Sequence, residues 1–116
     1  MNTHEIGSRF ETLAAQYLTD KGYRIIVRNY RTRRGEIDIV AKEAETYVFF
    51  EVKYRTNRET GGAVAAVDRR KQNKIIGAAR YYHLTHGLSE YTTACRFDVL
   101  AIEEGHITHY ENAFGV

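Results

Sequence analysis

Apolar residues in the first part of the chain fall at Ile6, Phe10, Leu13, Ala14, Tyr17 and Leu18, the three-to-four spacing that places a stripe along one side of a helix. Thr3 is positioned to cap that helix and Gly22 to stop it. Tyr23 to Asn29 is short and rich in β-branched residues, which predicts a strand, and the basic turn Arg31-Thr32-Arg33-Arg34-Gly35 follows it. The segments Glu36 to Ala41 and Tyr47 to Tyr54 alternate in polarity, and the polar stretch from Lys42 to Thr46 between them predicts an antiparallel hairpin. A period of two sets Glu36, Asp38 and Val40 on one face of the first of these strands, with Ile37, Ile39 and Ala41 on the other. In the second, Tyr47, Phe49, Glu51 and Lys53 oppose Val48, Phe50, Val52 and Tyr54, so Glu51 and Lys53 emerge side by side.

Residues 55 to 66 contain Thr56, Asn57, Gly61 and Gly62 without periodicity and read as a mobile loop. Asp68 is placed to cap a second helix, Arg69 to His86, that buries Ile75, Ile76, Ala79 and Tyr82 and displays Arg69, Arg70, Lys71, Lys74 and Arg80. Cys95 to Ile102 reads as a strand in which Phe97, Val99 and Ala101 alternate with Arg96, Asp98 and Leu100, and Gly105 turns it into a final strand, His106 to Tyr110. The expected order is αβββαββ. With no internal repeat or linker, the economical architecture is one α/β domain of mixed α+β character over residues 1–116, a mixed sheet flanked by two main helices.

Composition narrows the classes. At 43% hydrophobic residues, 116 positions can bury one core but not several. The lone Cys95 excludes an intrachain disulfide and a thiolate metal cluster, and with no secretory leader pattern at the start the expectation is a reducing, cytoplasmic setting. Charges interrupt every apolar run before it reaches the roughly 20 residues of a membrane-spanning helix. The net charge of +2 decides nothing, but its distribution does: residues 1–20 carry −2, residues 21–34 +6, residues 35–52 −4, residues 53–80 +6 and residues 81–116 −4. Two basic stretches flank an acidic one, which suits a protein that holds a phosphate backbone around a small carboxylate cluster. Solvated surfaces of mixed charge are the competing account.

The acidic stretch carries the candidate chemistry. If the hairpin register brings their faces together, Asp38 and Glu51 can hold a hard cation through oxygen, with the backbone carbonyl of Val52 as a third ligand. Mg²⁺ keeps several waters and is commonly bound by one or two carboxylates plus phosphate oxygens, so two acids suffice. Such a site polarises a phosphodiester and activates a bound water for in-line attack. The Lys53 ammonium is placed to orient that water or offset charge on the phosphate, and nearby carboxylates make it a poor general base. Glu11, at the margin of the first helix's apolar face beside Gly7 and Leu18, is a further candidate acid, and Glu36 a weaker one.

The residues also carry a resemblance. The run from Ile6 to Arg55, with Gly7, Glu11, Ala15, Leu18 and Gly22, then Asn29, Gly35-Glu36-Ile37-Asp38 and Phe50-Glu51-Val52-Lys53-Tyr54-Arg55, resembles the YraN family of bacterial proteins. Ala66-Val67-Asp68 with Lys71, then Ala78, Ala79 and Tyr81, and Arg96-Phe97-Asp98-Val99 extend the likeness over nearly the whole chain. That family is regarded as a nuclease-like branch of the PD-(D/E)xK superfamily, similar in fold to archaeal Holliday junction resolvases and to restriction endonucleases. The resemblance implies Asp38 as the first motif aspartate, Glu51 and Lys53 as the E-x-K pair, and Glu11 as the helix-borne acid. Ile37 stands where the superfamily has a proline, and Gly62-Ala63-Val64 lacks a proline often found after the family's loop glycine.

The implied function is a Mg²⁺-dependent (or Mn²⁺-dependent) endonuclease acting on DNA, branched DNA included. For Asp38, Glu51 and Lys53 the alternative is an exposed cross-strand salt bridge of about 0.2–1 kcal/mol. Arg31, Arg33, Arg34 and Arg55, with Arg69, Arg70, Lys71 and Lys74 from the second helix, are the candidate phosphate contacts. Tyr30, Tyr54 and Tyr81 are candidates for stacking on unpaired bases, against the packing role more usual among nine tyrosines. All five histidines read as incidental, because neither His83/His86 nor His106/His109 brings a third ligand. The alternative functions are a noncatalytic nucleic-acid-binding module and a protein-interaction domain. Related resolvases are symmetric dimers, and an exposed sheet edge leaves a homodimer open here.

Overall fold

In the computed structural model, which describes residues 3–55, 67–103 and 105–115, the chain forms α1 (Thr3–Asp20), β1 (Arg24–Arg31), β2 (Glu36–Glu43), β3 (Thr46–Arg55), α2 (Arg69–Thr85), β4 (Cys95–Glu103) and β5 (His106–Phe114). The expected order αβββαββ holds. The expected mobile loop lies outside the described residues, save Arg55, which ends β3.

The five strands form one sheet in sequence order, antiparallel throughout except for β3 beside β4. A parallel pair cannot be joined by a hairpin, so α2 belongs to the connection between them and is carried across one face. There Ile75, Ile76, Ala79 and Tyr82 pack with Val40, Phe49, Phe97 and Val99. On the opposite face Ala14 and Leu18 of α1 pack with Ile39, Ala41, Val48, Phe50, Leu100 and Ile102. With helices on both sides, β4 is buried almost continuously and its expected one-sided alternation disappears.

Local chemistry ends and starts these elements. The Lys21-Gly22-Tyr23 link closes α1 with Gly22 at a φ of 96°, the Tyr23 N–H donating to the Leu18 carbonyl at 3.0 Å and the Gly22 N–H to Thr19 at 3.0 Å. Tyr23 then packs in the same cluster as Leu18, the apolar contact that accompanies this stop. Asp68 caps α2, its carboxylate accepting the Lys71 N–H at 2.8 Å.

Four expectations are corrected. Leu13 is 52% exposed, and the inward face of α1 instead runs through Phe10, Glu11, Ala14, Ala15 and Leu18. The β2–β3 turn is tighter than expected, with Glu43 opposite Thr46 and Ala44 at a φ of 51°. Strand β5 continues four residues past Tyr110 to Phe114, because a register shift opposite β4 and a left-handed Asn112 return Ala113 and Phe114 to the core. Ile37 does not share a face with Ile39 and Ala41: it is buried among the α2-side residues, whereas those two face α1. The cause is a turn of the backbone where Asn29 of β1, at a φ of 55°, sits between the pairs Arg28–Ile39 and Tyr30–Ile37.

Candidate functional site

That irregularity surrounds Asp38. Pairing of β2 with β3 runs from Glu43–Thr46 to Ile39–Phe50 and stops, although the same register would next oppose Asp38 to Glu51. Beyond this point β2 stays with β1 as far as Glu36, while β3 stays with β4 as far as Arg55. The sheet forks, and the two carboxylates stand at the fork. Asp38 spans the opening, accepting the Val52 N–H at 2.8 Å. Glu51 lies on the α2 side, 5% exposed, with Lys53 Nζ at 3.6 Å and Lys71 Nζ at 3.8 Å from its Oε1.

The electrostatics follow from burial and proximity. Burial, then the Glu51 charge, push the Asp38 carboxyl up to about 7; the Val52 N–H works in the opposite sense, and Glu11 and Glu36 add to the rise. Burial also raises Glu51, but Lys71 and Lys53 oppose that rise. Glu51 therefore has two ammonium partners, whereas among the described residues no lysine, arginine or histidine lies within ion-pair distance of Asp38. A buried acid and a half-buried one facing each other across a fork are relieved by a shared proton or by a cation.

Glu11 enters from the other layer. Its Oε1 accepts from Arg28 Nε at 3.1 Å and from Asn29 Nδ2 at 2.8 Å, so the acid on α1 is held against the residue opposite Asp38. Glu36 is exposed and pairs with Arg31 at 3.7 Å. Among the described residues no group of three or more His, Cys, Asp or Glu side chains is arranged to hold a metal ion. The oxygen donors at the fork itself are those of Asp38 and Glu51, a pair suited to a hard cation that keeps its waters.

The expected phosphate-binding residues divide. Arg31, Arg33 and Arg34 meet Lys71 and Lys74 around a cavity of about 360 Å³, with Glu36 on its wall. Arg69 is engaged elsewhere, donating to the Gly115 carbonyl and to Gln72, and Arg70 is exposed. The Arg55 side chain lies outside the described residues. Of the candidate stacking rings, Tyr30 packs edge-on to Tyr82, Tyr54 stacks on Phe10 with centroids 3.8 Å apart, and Tyr81 is 46% exposed.

Sequence reasoning missed two features. The contact of Lys71 with Glu51 joins residues twenty positions apart, and only the packing of α2 on the sheet makes it. Asp98, fully buried, accepts from Arg96, from His109 Nε2 at 2.7 Å and from the Asn112 N–H at 2.9 Å. Arg96 reaches on to Glu43 and the Tyr23 hydroxyl. His109 is thus a structural partner rather than an incidental one, and His83 is likewise built in, buried with its Nδ1 2.8 Å from the Ala79 carbonyl.

A family model described as "Uncharacterised protein family UPF0102" matches residues 10–102. Similar proteins include a UPF0102 protein of Lachnoclostridium phytofermentans, 49% identical over 114 residues that cover 98% of this chain and 96% of that protein. One of Aeromonas hydrophila is 47% identical over 93% of this chain and 83% of its own length. One of Chlorobium limicola is 54% identical over 85% and 75% respectively.

Proposed function

Because the chain belongs to the UPF0102 family, and family and fold agree with a nuclease-like protein, we propose that it is a metal-dependent endonuclease that hydrolyses DNA phosphodiesters, in branched DNA among other forms. The observation that carries this reading is the fork at which Asp38 and Glu51 face each other, both carboxyls raised, with Lys53 and Lys71 on the Glu51 side.

Asp38 and Glu51 would hold Mg²⁺ or Mn²⁺, with the Val52 carbonyl as a further ligand. The bound ion supplies polarisation of the phosphate and a water of lowered pKa. Lys53 and Lys71 oppose the rise of the Glu51 carboxyl and offer positive charge to a phosphate that enters over them. The Val52 N–H fixes the Asp38 carboxylate across the fork, and Glu11 acts from α1 through its field on Asp38. Arg31, Arg33, Arg34, Lys71 and Lys74 line the approach, and Arg55, Arg69 and Arg70 extend the basic surface.

A noncatalytic nucleic-acid-binding module is the second reading, favoured by the small number of acids at the fork and by the commitment of both lysines to Glu51. The test is cleavage of labelled linear, single-stranded, flap and four-way-junction DNA by wild type and by Asp38→Asn, Glu51→Gln and Lys53→Met variants, with Mg²⁺, Mn²⁺ or EDTA. Metal-dependent cutting lost in all three folded variants is expected. Steeply salt-dependent binding without cutting selects the module, and neither binding nor cutting selects a protein-interaction domain.

A further inference from the structure

The β1–β2 turn lies flat on α2. Gly35 packs so closely that a Cβ there would stand 2.5 Å from the Lys74 carbonyl oxygen, and a Cβ on Gly77 would meet Arg34 Cβ at 3.3 Å. Thr32 locks the turn from within: its N–H donates to the Gly35 carbonyl at 2.8 Å, and its hydroxyl oxygen accepts the Arg34 and Gly35 N–H groups at 3.0 and 3.1 Å. Such a turn is a preformed wall.

That wall has two sides. Toward the fork it bounds the basic cavity already described, whose Lys71 touches Glu51. On the other side Arg31, Thr32, Arg33 and Arg34 bound a second cavity of about 650 Å³, closed by Tyr81 and Leu84 of α2. Leu84 is 77% exposed and Tyr81 46% exposed, an apolar pair left at the surface beside three guanidinium groups. Among the described residues, no carboxylate pairs with Arg33 or Arg34. Lys71, Lys74, Tyr81 and Leu84 follow one another along α2 at helical spacing, about 20 Å from the first to the last.

We infer that the cavity between the 31–34 turn and Tyr81/Leu84 binds an unpaired nucleobase of the strand whose phosphate backbone lies over Lys71 and Lys74. This rests on the nuclease reading and adds a substrate class to it: duplexes that carry a single-stranded extension or flap. An aromatic face and an apolar edge accept any base by stacking, while arginines hold the flanking phosphates. Tyr81 lies ten residues beyond Lys71, about 15 Å along α2, so the stacked base falls within roughly four nucleotides of the phosphate at the fork. Continuity of the groove with Glu51 through Lys71 favours nucleic acid over an acidic peptide as its occupant.

The test needs no cleavage. In EDTA, fluorescence anisotropy compares a blunt duplex with duplexes of matched phosphate number that carry a four-nucleotide 5′ or 3′ overhang, using wild type, Tyr81→Ala and Tyr81→Phe. The expected result is an overhang preference of about 5- to 100-fold that disappears in Tyr81→Ala and persists in Tyr81→Phe. Equal binding of blunt and overhang DNA, or a preference that survives Tyr81→Ala, overturns the inference and leaves the nuclease reading standing. Failure to bind any DNA overturns both. Tighter capture of a polyglutamate peptide than of any DNA, lost in Arg33→Glu, assigns the groove to an acidic protein and overturns the base pocket.

Discussion

Burial and the facing Glu51 move the Asp38 carboxyl from 3.8 to about 7, so the folded chain binds its proton more tightly than the unfolded chain does. The linked contribution to stability is complete below pH 4 and is lost as pH rises through 7. Asp38→Asn removes the charge and keeps an oxygen for the Val52 N–H. Urea titrations should therefore find the variant more stable than wild type by about 1–3 kcal/mol at pH 8, with the gap closing toward pH 4. Added Mg²⁺ should raise the wild-type midpoint at pH 8 and leave that of Asp38→Asn in place. A variant no more stable than wild type at pH 8 would show that the carboxyl is not strained. These residues were legible as candidates because Asp38, Glu51 and Lys53 alternate within strands. That among the described residues Asp38 has no cation partner while Glu51 has two was not, since Lys71 arrives from another element.

Two contacts let α2 present its basic and aromatic face, one at its N-terminus and one along its side. The Asp68 carboxylate satisfies the Lys71 N–H, so Asp68→Ala should lower stability by about 1 kcal/mol in chemical denaturation. The Gly35 contact with the Lys74 carbonyl leaves no room for a methyl group. Gly35→Ala should cost about 1–3 kcal/mol by lifting the 31–34 turn off the helix. The same variant should weaken DNA binding while far-UV dichroism stays native. Asp68 and the start of α2 were plain from the sequence, because caps and helical periodicity are local signals. The inward face of α1 was less so: Leu13 fits the apolar stripe, yet the helix turns Glu11 inward to meet Arg28 and Asn29 of β1. Periodicity gives the width of a face, and its partner sets the angle.

Across the molecule, buried polar groups tie distant segments together. Asp98 joins Arg96, His109 and the Asn112 N–H, and through Arg96 reaches Glu43 at the end of β2 and Tyr23 beyond α1. Asp98→Ala leaves the Arg96 guanidinium without its buried acid and should cost about 3–5 kcal/mol in thermal or urea unfolding. A loss below 1 kcal/mol would show that the network is replaceable. Basic residues from β1, the turn and α2 converge on one cleft, so each of Arg33→Ala and Arg34→Ala should reduce the slope of log binding constant against log salt by about 0.9 on duplex DNA. The sequence by itself determined the seven elements of the described residues, their αβββαββ order and the pairing of acids with a lysine, because alternation, capping and turn chemistry act over a few residues. The tertiary structure alone decided where β2 parts from β3, which face Ile37 takes, that Lys71 reaches Glu51, and that Asp98 is buried. Those outcomes depend on groups far apart in the chain, whose register and burial are set only when α1 and α2 close on the sheet.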